Sequence, residues 1–197
     1  MPTLPELLSL YQPPPPPRRK VFISFYQGDR QEVDTFIHRW SEREQVFIPK
    51  ALGTYDNEDF IKSDKPTYVM QQIRDKYLGD STVTIALIGT CTHSRRYVDW
   101  ELKTSLRRGD YTPNGLLGIL LPSTAAGAHL PPRFKANWER QELNCYARYR
   151  HWPASSSELR TWIEDAYKAR NARAHLIEND ADMMKYNATC KVHMLTH

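Results

Sequence analysis

Apolar and polar positions alternate between two periods along this chain. Val21 to Phe25 is a short apolar, β-branched and aromatic run that reads as a buried strand, and Val33, Phe36, Ile37 and Trp40 follow at i, i+3, i+4 and i+7, one face of a helix. Val46 to Ile48 reads as a brief second strand that Pro49 is expected to stop. Val69, Ile73 and Tyr77 make the next helical stripe, closed at Gly79-Asp80. Thr82 to Gly89 is nearly continuous in apolar residues, as at the middle of a parallel sheet. A helix is predicted from about Arg96 to Arg108, with Val98, Leu102 and Leu106 inward and Gly109 as its stop. Leu116 to Leu121, ended by Pro122, is the fourth strand. Ser123 to Trp152 is less regular, with Asn144 to Tyr149 as a candidate fifth, edge strand. Ser155-x-x-Glu158 is a capping box, opening a helix whose Leu159, Trp162, Ile163, Ala166 and Tyr167 face the core to about Arg173. The polar stretch after Asn179 shows no period.

Short strands alternating with helices imply one α/β domain, a flavodoxin-like, doubly wound, mainly parallel sheet in the common order 2-1-3-4-5. The expected organisation is a leading segment over 1–19, a domain over 20–175 and a tail over 176–197 with room to pack back on it. In the leading segment Thr3-x-x-Glu6 forms a second capping box, and Leu4, Leu7, Leu8 and Tyr11 line one face of a short helix. Pro13 to Pro17 then forms a polyproline II spacer. Its P-x-x-P-x-R pattern, on Pro13, Pro16 and Arg18, allows an SH3-type ligand, but such runs are more often plain spacers.

Composition narrows the functions. The chain has 197 residues, with 27 Lys and Arg against 23 Asp and Glu; a net charge of +4 is too small to argue for nucleic-acid binding. Its longest apolar runs fall far short of the roughly 18–20 residues that a membrane span needs. The start, Met1-Pro2-Thr3-Leu4-Pro5-Glu6, has neither the basic nor the apolar region of a secretory signal, so a cytoplasmic protein is expected and the Asn187-Ala188-Thr189 sequon is set aside. Cys91, Cys145 and Cys190 are odd in number, far apart and without a C-x-x-C pair, and are expected to be ordinary thiols with no metal site.

In the order 2-1-3-4-5, ligands bind beyond the carboxyl ends of the first and third strands. Two loops meet there: Ser24 to Arg30, and Thr90 to Tyr97 with the first turns of the next helix. The first loop has a single glycine, Gly28, so the G-x-G-x-x-G dinucleotide fingerprint is absent; neither a P-loop nor a G-x-S-x-G elbow occurs. Ser24 and Phe25 stand where a phospho-acceptor domain would carry acidic residues. In the second, Tyr97 and Glu101 are i and i+4 on a helix face distinct from the Val98, Leu102 and Leu106 line. By itself a helix glutamate such as Glu101 reads first as solvated surface, with a pairing to Arg108 or Lys103 as the alternative. His93 reads as polar loop surface.

The strand from Ser81 to Gly89 followed by Ser94-Arg95-Arg96-Tyr97-Val98-Asp99-Trp100-Glu101-Leu102 resembles the segment of TIR domains in which an apolar strand precedes S-x-W-x-x-x-E-L, with Tyr97 where the tryptophan usually stands. Val21-Phe22-Ile23-Ser24-Phe25 is similar to the V-F-I-S-[FY] first strand of that family. With Trp40 and Arg95-Arg96-Tyr97-Val98, the chain is most similar to the bacterial TIR-like group of Thoeris anti-phage systems, from Lys20 to Leu121. The resemblance implies an enzyme that cleaves the nicotinamide N-glycosidic bond of NAD, as substrate rather than cofactor, to give ADP-ribose or a cyclic or conjugated form. Ionised Glu101 would be the catalytic carboxylate, and Ser24, Phe25, Tyr26, Asp29 and Tyr97 would contact substrate. It further implies a phage trigger, a downstream effector that senses the product and self-assembly, with no membrane or nucleic-acid partner. Many TIR domains are instead non-catalytic adaptors. The loop from Tyr55 to Pro66 departs from the family's basic, proline-glycine pattern, which bears on assembly. A catalytically silent α/β domain is the third reading.

Overall fold

Alternating strand and helix patterns resolve into one five-stranded sheet in the order β2-β1-β3-β4-β5. The structure, a computed structural model, describes residues 17–51, 65–109, 112–124, 128–139 and 145–196. The strands are β1 (Arg19–Ser24), β2 (Phe47–Ala51), β3 (Val83–Ile88), β4 (Gly115–Leu120) and β5 (Arg148–Arg150). Every neighbouring pair is parallel, so the fold is the flavodoxin-like α/β arrangement expected from the alternation. Helix α1 (Arg30–Ile37) runs on into a π-helical turn, His38–Arg43, and α2 (Pro66–Ile73) into another, Arg74–Leu78. Helices α3 (Arg96–Ser105), α4 (Pro132–Trp138) and α5 (Ser156–Ala172) complete the set.

Side-chain alternation along the strands divides the core. Val21, Ile23, Val83, Ile85, Leu87, Leu117 and Ile119 pack against α1 and α5 through Val33, Phe36, Trp40, Leu159 and Ile163. On the opposite face Ala86, Ile88, Leu116 and Leu120 meet Val98, Leu102 and Leu106 of α3 and Phe134 of α4. There Phe22 joins Val69, Ile73 and Leu78 with Trp100 of α3. Of the predicted core lines, Val33, Phe36, Ile37 and Trp40, Val98, Leu102 and Leu106, and Leu159, Ile163 and Ala166 are buried, whereas Trp162 and Tyr167 pack on the cluster only partly buried.

Several boundaries differ from expectation, each for a local reason. Pro49 does not stop the second strand: it lies within β2 opposite Val21, because β2 is an edge strand where a missing N–H costs no ladder bond. Helix α3 ends at Ser105, before Arg108, and Gly109, at φ 115°, supplies the left-handed turn beyond it. The fifth strand is shorter than Asn144 to Tyr149. Helix α4 lies in the stretch read as irregular; Pro132 at its first turn was the available signal. The Ser155 cap forms as predicted, its Oγ accepting from Glu158 N at 3.2 Å. The box at Thr3 and Glu6, the polyproline run before Pro17 and most of the loop from Tyr55 lie outside the described residues. No described helix is long and apolar enough to cross a membrane.

The stretch after Asn179 crosses the outer side of α3. Met184 O accepts from Trp100 Nε1 at 2.8 Å, and Ala181 O from Lys103 Nζ at 2.7 Å. Asp99 Oδ2 accepts from Met184 N at 2.9 Å, and Ala188 N donates to Ser94 O. Asp99 also pairs at 2.9 Å with Arg133 of α4, both side chains being 5% exposed or less, and Arg133 donates to carbonyls of Asn179, Ala181 and Asp182. The result is a helix buried on nearly every side.

Candidate active site

Ser24 ends β1 on the same face as Phe22, toward α3, and both are fully buried. An apolar residue there would continue the core. Instead its Oγ donates a 2.6 Å hydrogen bond to Glu101 Oε2 in the second turn of α3. Glu101 is 7% exposed. Burial pushes its carboxyl up to about 8, against which the Ser24 hydrogen bond pulls down. Burial thus favours the protonated form of the unliganded side chain. Neither cation weighed as its partner faces it: Lys103 donates to Ala181 O and Arg108 Nη2 to Ile177 O.

The two loops interlock beside this pair. Asp29 Oδ2 accepts from Thr92 Oγ1 at 3.3 Å, and Thr92 Oγ1 in turn accepts from Gly89 N at 2.9 Å. A Cβ on Gly89 would stand 2.2 Å from Asp29 Oδ2, so only glycine admits this approach. Asp29 is raised to about 6, chiefly by burial, with Thr92 and the Arg95 charge opposing. Arg95 lies over the Tyr26 ring, its Cζ 3.8 Å from the centroid. The Arg95 side chain is buried, and its Nε and Nη2 have no hydrogen-bond partner among the described residues. Such donors are costly to leave unpaired and suit an anionic ligand.

The remaining predicted residues lie as follows. Phe25 packs on the opposite face, against the cluster under α1 and α5. Tyr97 is half-buried one turn before Glu101, edge-on to Trp100 at 5.2 Å and beneath Arg96. His93 is buried rather than surface: its Nε2 accepts from Lys191 N at 3.1 Å, which leaves Nδ1 to donate to Thr90 O. Arg95, Thr92 and Gly89 were missed as site residues. Their roles come from contacts across the two loops, which no spacing within either loop encodes.

These groups provide a carboxyl able to become an anion when a cation approaches, a hydroxyl orienting it, and a guanidinium above an aromatic ring. Among the described residues one set has metal-ligand character, Cys91, Cys190 and His193, whose donor atoms all lie within 4.8 Å of one another.

Residues 22–126, more than half of the chain, match the family described as Thoeris protein ThsB, TIR-like domain. The matched segment runs from β1 to just beyond β4 and contains Ser24, Asp29, Arg95 and Glu101. No curated protein matches.

Proposed function

Because the chain belongs to the ThsB TIR-like domain family of Thoeris proteins, we propose that it is an NAD-consuming enzyme of anti-phage defence in which Glu101 is the catalytic carboxylate. In NAD cleavage the bond between ribose C1′ and the nicotinamide nitrogen breaks, and its electron pair leaves with the ring, which becomes neutral. No general acid is required, and the barrier lies in the oxocarbenium-like ribose left behind. A carboxylate beside that sugar stabilises the developing charge. The observation that carries the reading is the buried Ser24–Glu101 hydrogen bond at the carboxyl end of β1.

Glu101 is poised by its burial. The cationic nicotinamide would favour the carboxylate form, so substrate binding and proton release are coupled, and the charge develops where water screens it least. Ser24 orients the carboxylate. The buried guanidinium of Arg95 is suited to the substrate's diphosphate, and Tyr26 beneath it to a ring. Water as acceptor gives ADP-ribose, the substrate's own adenine a cyclic product, and another amine a conjugate. A phage-derived trigger, self-assembly and an effector that senses the product complete the proposal. Incubating the full chain with NAD, concentrated and again with infected-cell extract, while following nicotinamide and product mass, tests it. Nicotinamide is expected in step with NAD loss; intact NAD under both conditions would reject the reading.

A further inference from the structure

We propose that Cys91, Cys190 and His193 form a binding site for a thiophilic divalent cation of the zinc class, which staples the C-terminal segment to the loop after β3. Cys91 Sγ lies 2.7 Å from Cys190 Sγ and 3.2 Å from His193 Nδ1, across about half the length of the chain. The site joins the family-matched segment to a tail outside it, and it stands independently of the activity proposed above.

The tail's backbone is turned toward these donors. Cys190 N donates to Leu195 O at 2.8 Å and Met194 N to Cys190 O at 2.7 Å, closing a turn in which Met194 adopts φ 55°. A left-handed methionine costs about 1–2 kcal/mol. Apolar burial does not offset this, since Val192, Met194 and Leu195 are all exposed. What the turn directs inward is Cys190, fully buried, and the His193 imidazole above Cys91.

The donor set fits a soft cation. Two thiols and an imidazole, with no carboxylate among them, select zinc-like metals over magnesium or calcium. Tetrahedral bond lengths of about 2.3 Å to sulfur and 2.0–2.1 Å to nitrogen set the donors roughly 3.3–3.8 Å apart. The thiols need only part by about 1 Å to admit the ion, a side-chain rotation. Exposed His193 leaves the fourth position toward solvent. Burial raises the Cys91 thiol to about 11. Cys190 lies below its ordinary value although burial opposes it, because Cys91 and the backbone of His193 and Val192 donate to it.

The test is cobalt titration of the full chain, reduced, stripped with a chelator and handled without oxygen. One equivalent of Co²⁺ should produce a near-ultraviolet thiolate-to-cobalt band and tetrahedral visible bands, both bleached by Zn²⁺. Cys190→Ser should remove most of the thiolate band. His193→Ala, at an exposed position, should keep a thiolate band while weakening affinity by at least about 10-fold, so the site stays testable if the cysteine variant fails to fold. Zn²⁺ should raise the Tm of the wild type and not of His193→Ala at the same metal concentration. Absence of thiolate bands at one equivalent, or identical titrations of wild type and His193→Ala, would overturn the site. So would a chain two hydrogens lighter, with Cys91 and Cys190 joined and no cobalt bound after reduction.

Discussion

Ser24 Oγ and Glu101 Oε2 lie 2.6 Å apart, joining the end of the central β1 strand to the second turn of α3. Because Glu101 is otherwise buried, its carboxyl is held up at about 8. If the carboxylate is the active form, kcat/KM for NAD cleavage rises as pH increases from 6 and levels off near or above 8, since that ratio reports ionisation of the free enzyme. A profile flat across pH 6–9, measured by initial rates of nicotinamide release, contradicts this.

The same shift bears on stability. Glu101 keeps its proton in the folded chain up to about 8 but releases it near 4.5 when unfolded. The unfolded state therefore binds fewer protons in between, and the stability present below about 4.5 is lost as pH rises to about 8. Glu101→Gln does not titrate. Its Tm advantage over the wild type should be small at pH 5, grow to pH 8 and then stay level. Thermal scans giving a constant difference across that range would count against a buried, raised carboxyl.

Asp99 and Arg133 form the buried ion pair that ties α3, α4 and the tail together. Removing either partner strands a charge in the interior, which typically costs about 3–5 kcal/mol. Arg133→Ala should lower stability by that order in denaturant melts and expose the amides of Ala181 to Met184 to exchange. A loss below about 1 kcal/mol, with those amides still protected, would contradict the assignment.

Gly89 and Asp29 are coupled by contact. Gly89→Ala should destabilise by about 1–3 kcal/mol through overpacking, and most of that penalty should vanish in an Asp29→Ala background. Additive losses in the double-mutant cycle would show that the loops do not interlock at this point.

The sheet order, the core lines and the match to a TIR-like family were legible because strand and helix periods are local signals. Val21 to Phe25 and Thr82 to Gly89 read as buried strands and pair in register as β1 and β3. The pattern around Glu101 pointed to this helix face; that Ser24 is its hydrogen-bond partner follows from the strand order. The unread part is long-range and polar. Asp99, Trp100 and Lys103 look like a solvated helix face because their partners are backbone groups of a tail with no period of its own. Cys190 and His193 stand only three positions apart, but the set does not read as a metal site because its third donor, Cys91, comes from the other half of the chain. Pro49 misled because a proline ends a central strand but not an edge one.

Whether Glu101 carries the chemistry is decided by the rate of nicotinamide release from NAD by wild type and Glu101→Gln, side by side, in a preparation where the wild type turns over. The substitution keeps size and the Ser24 hydrogen bond while removing the charge. The variant should fold while its rate falls at least about 100-fold, the scale for losing a principal electrostatic group. A Glu101→Gln protein that retains most of the wild-type rate would contradict it.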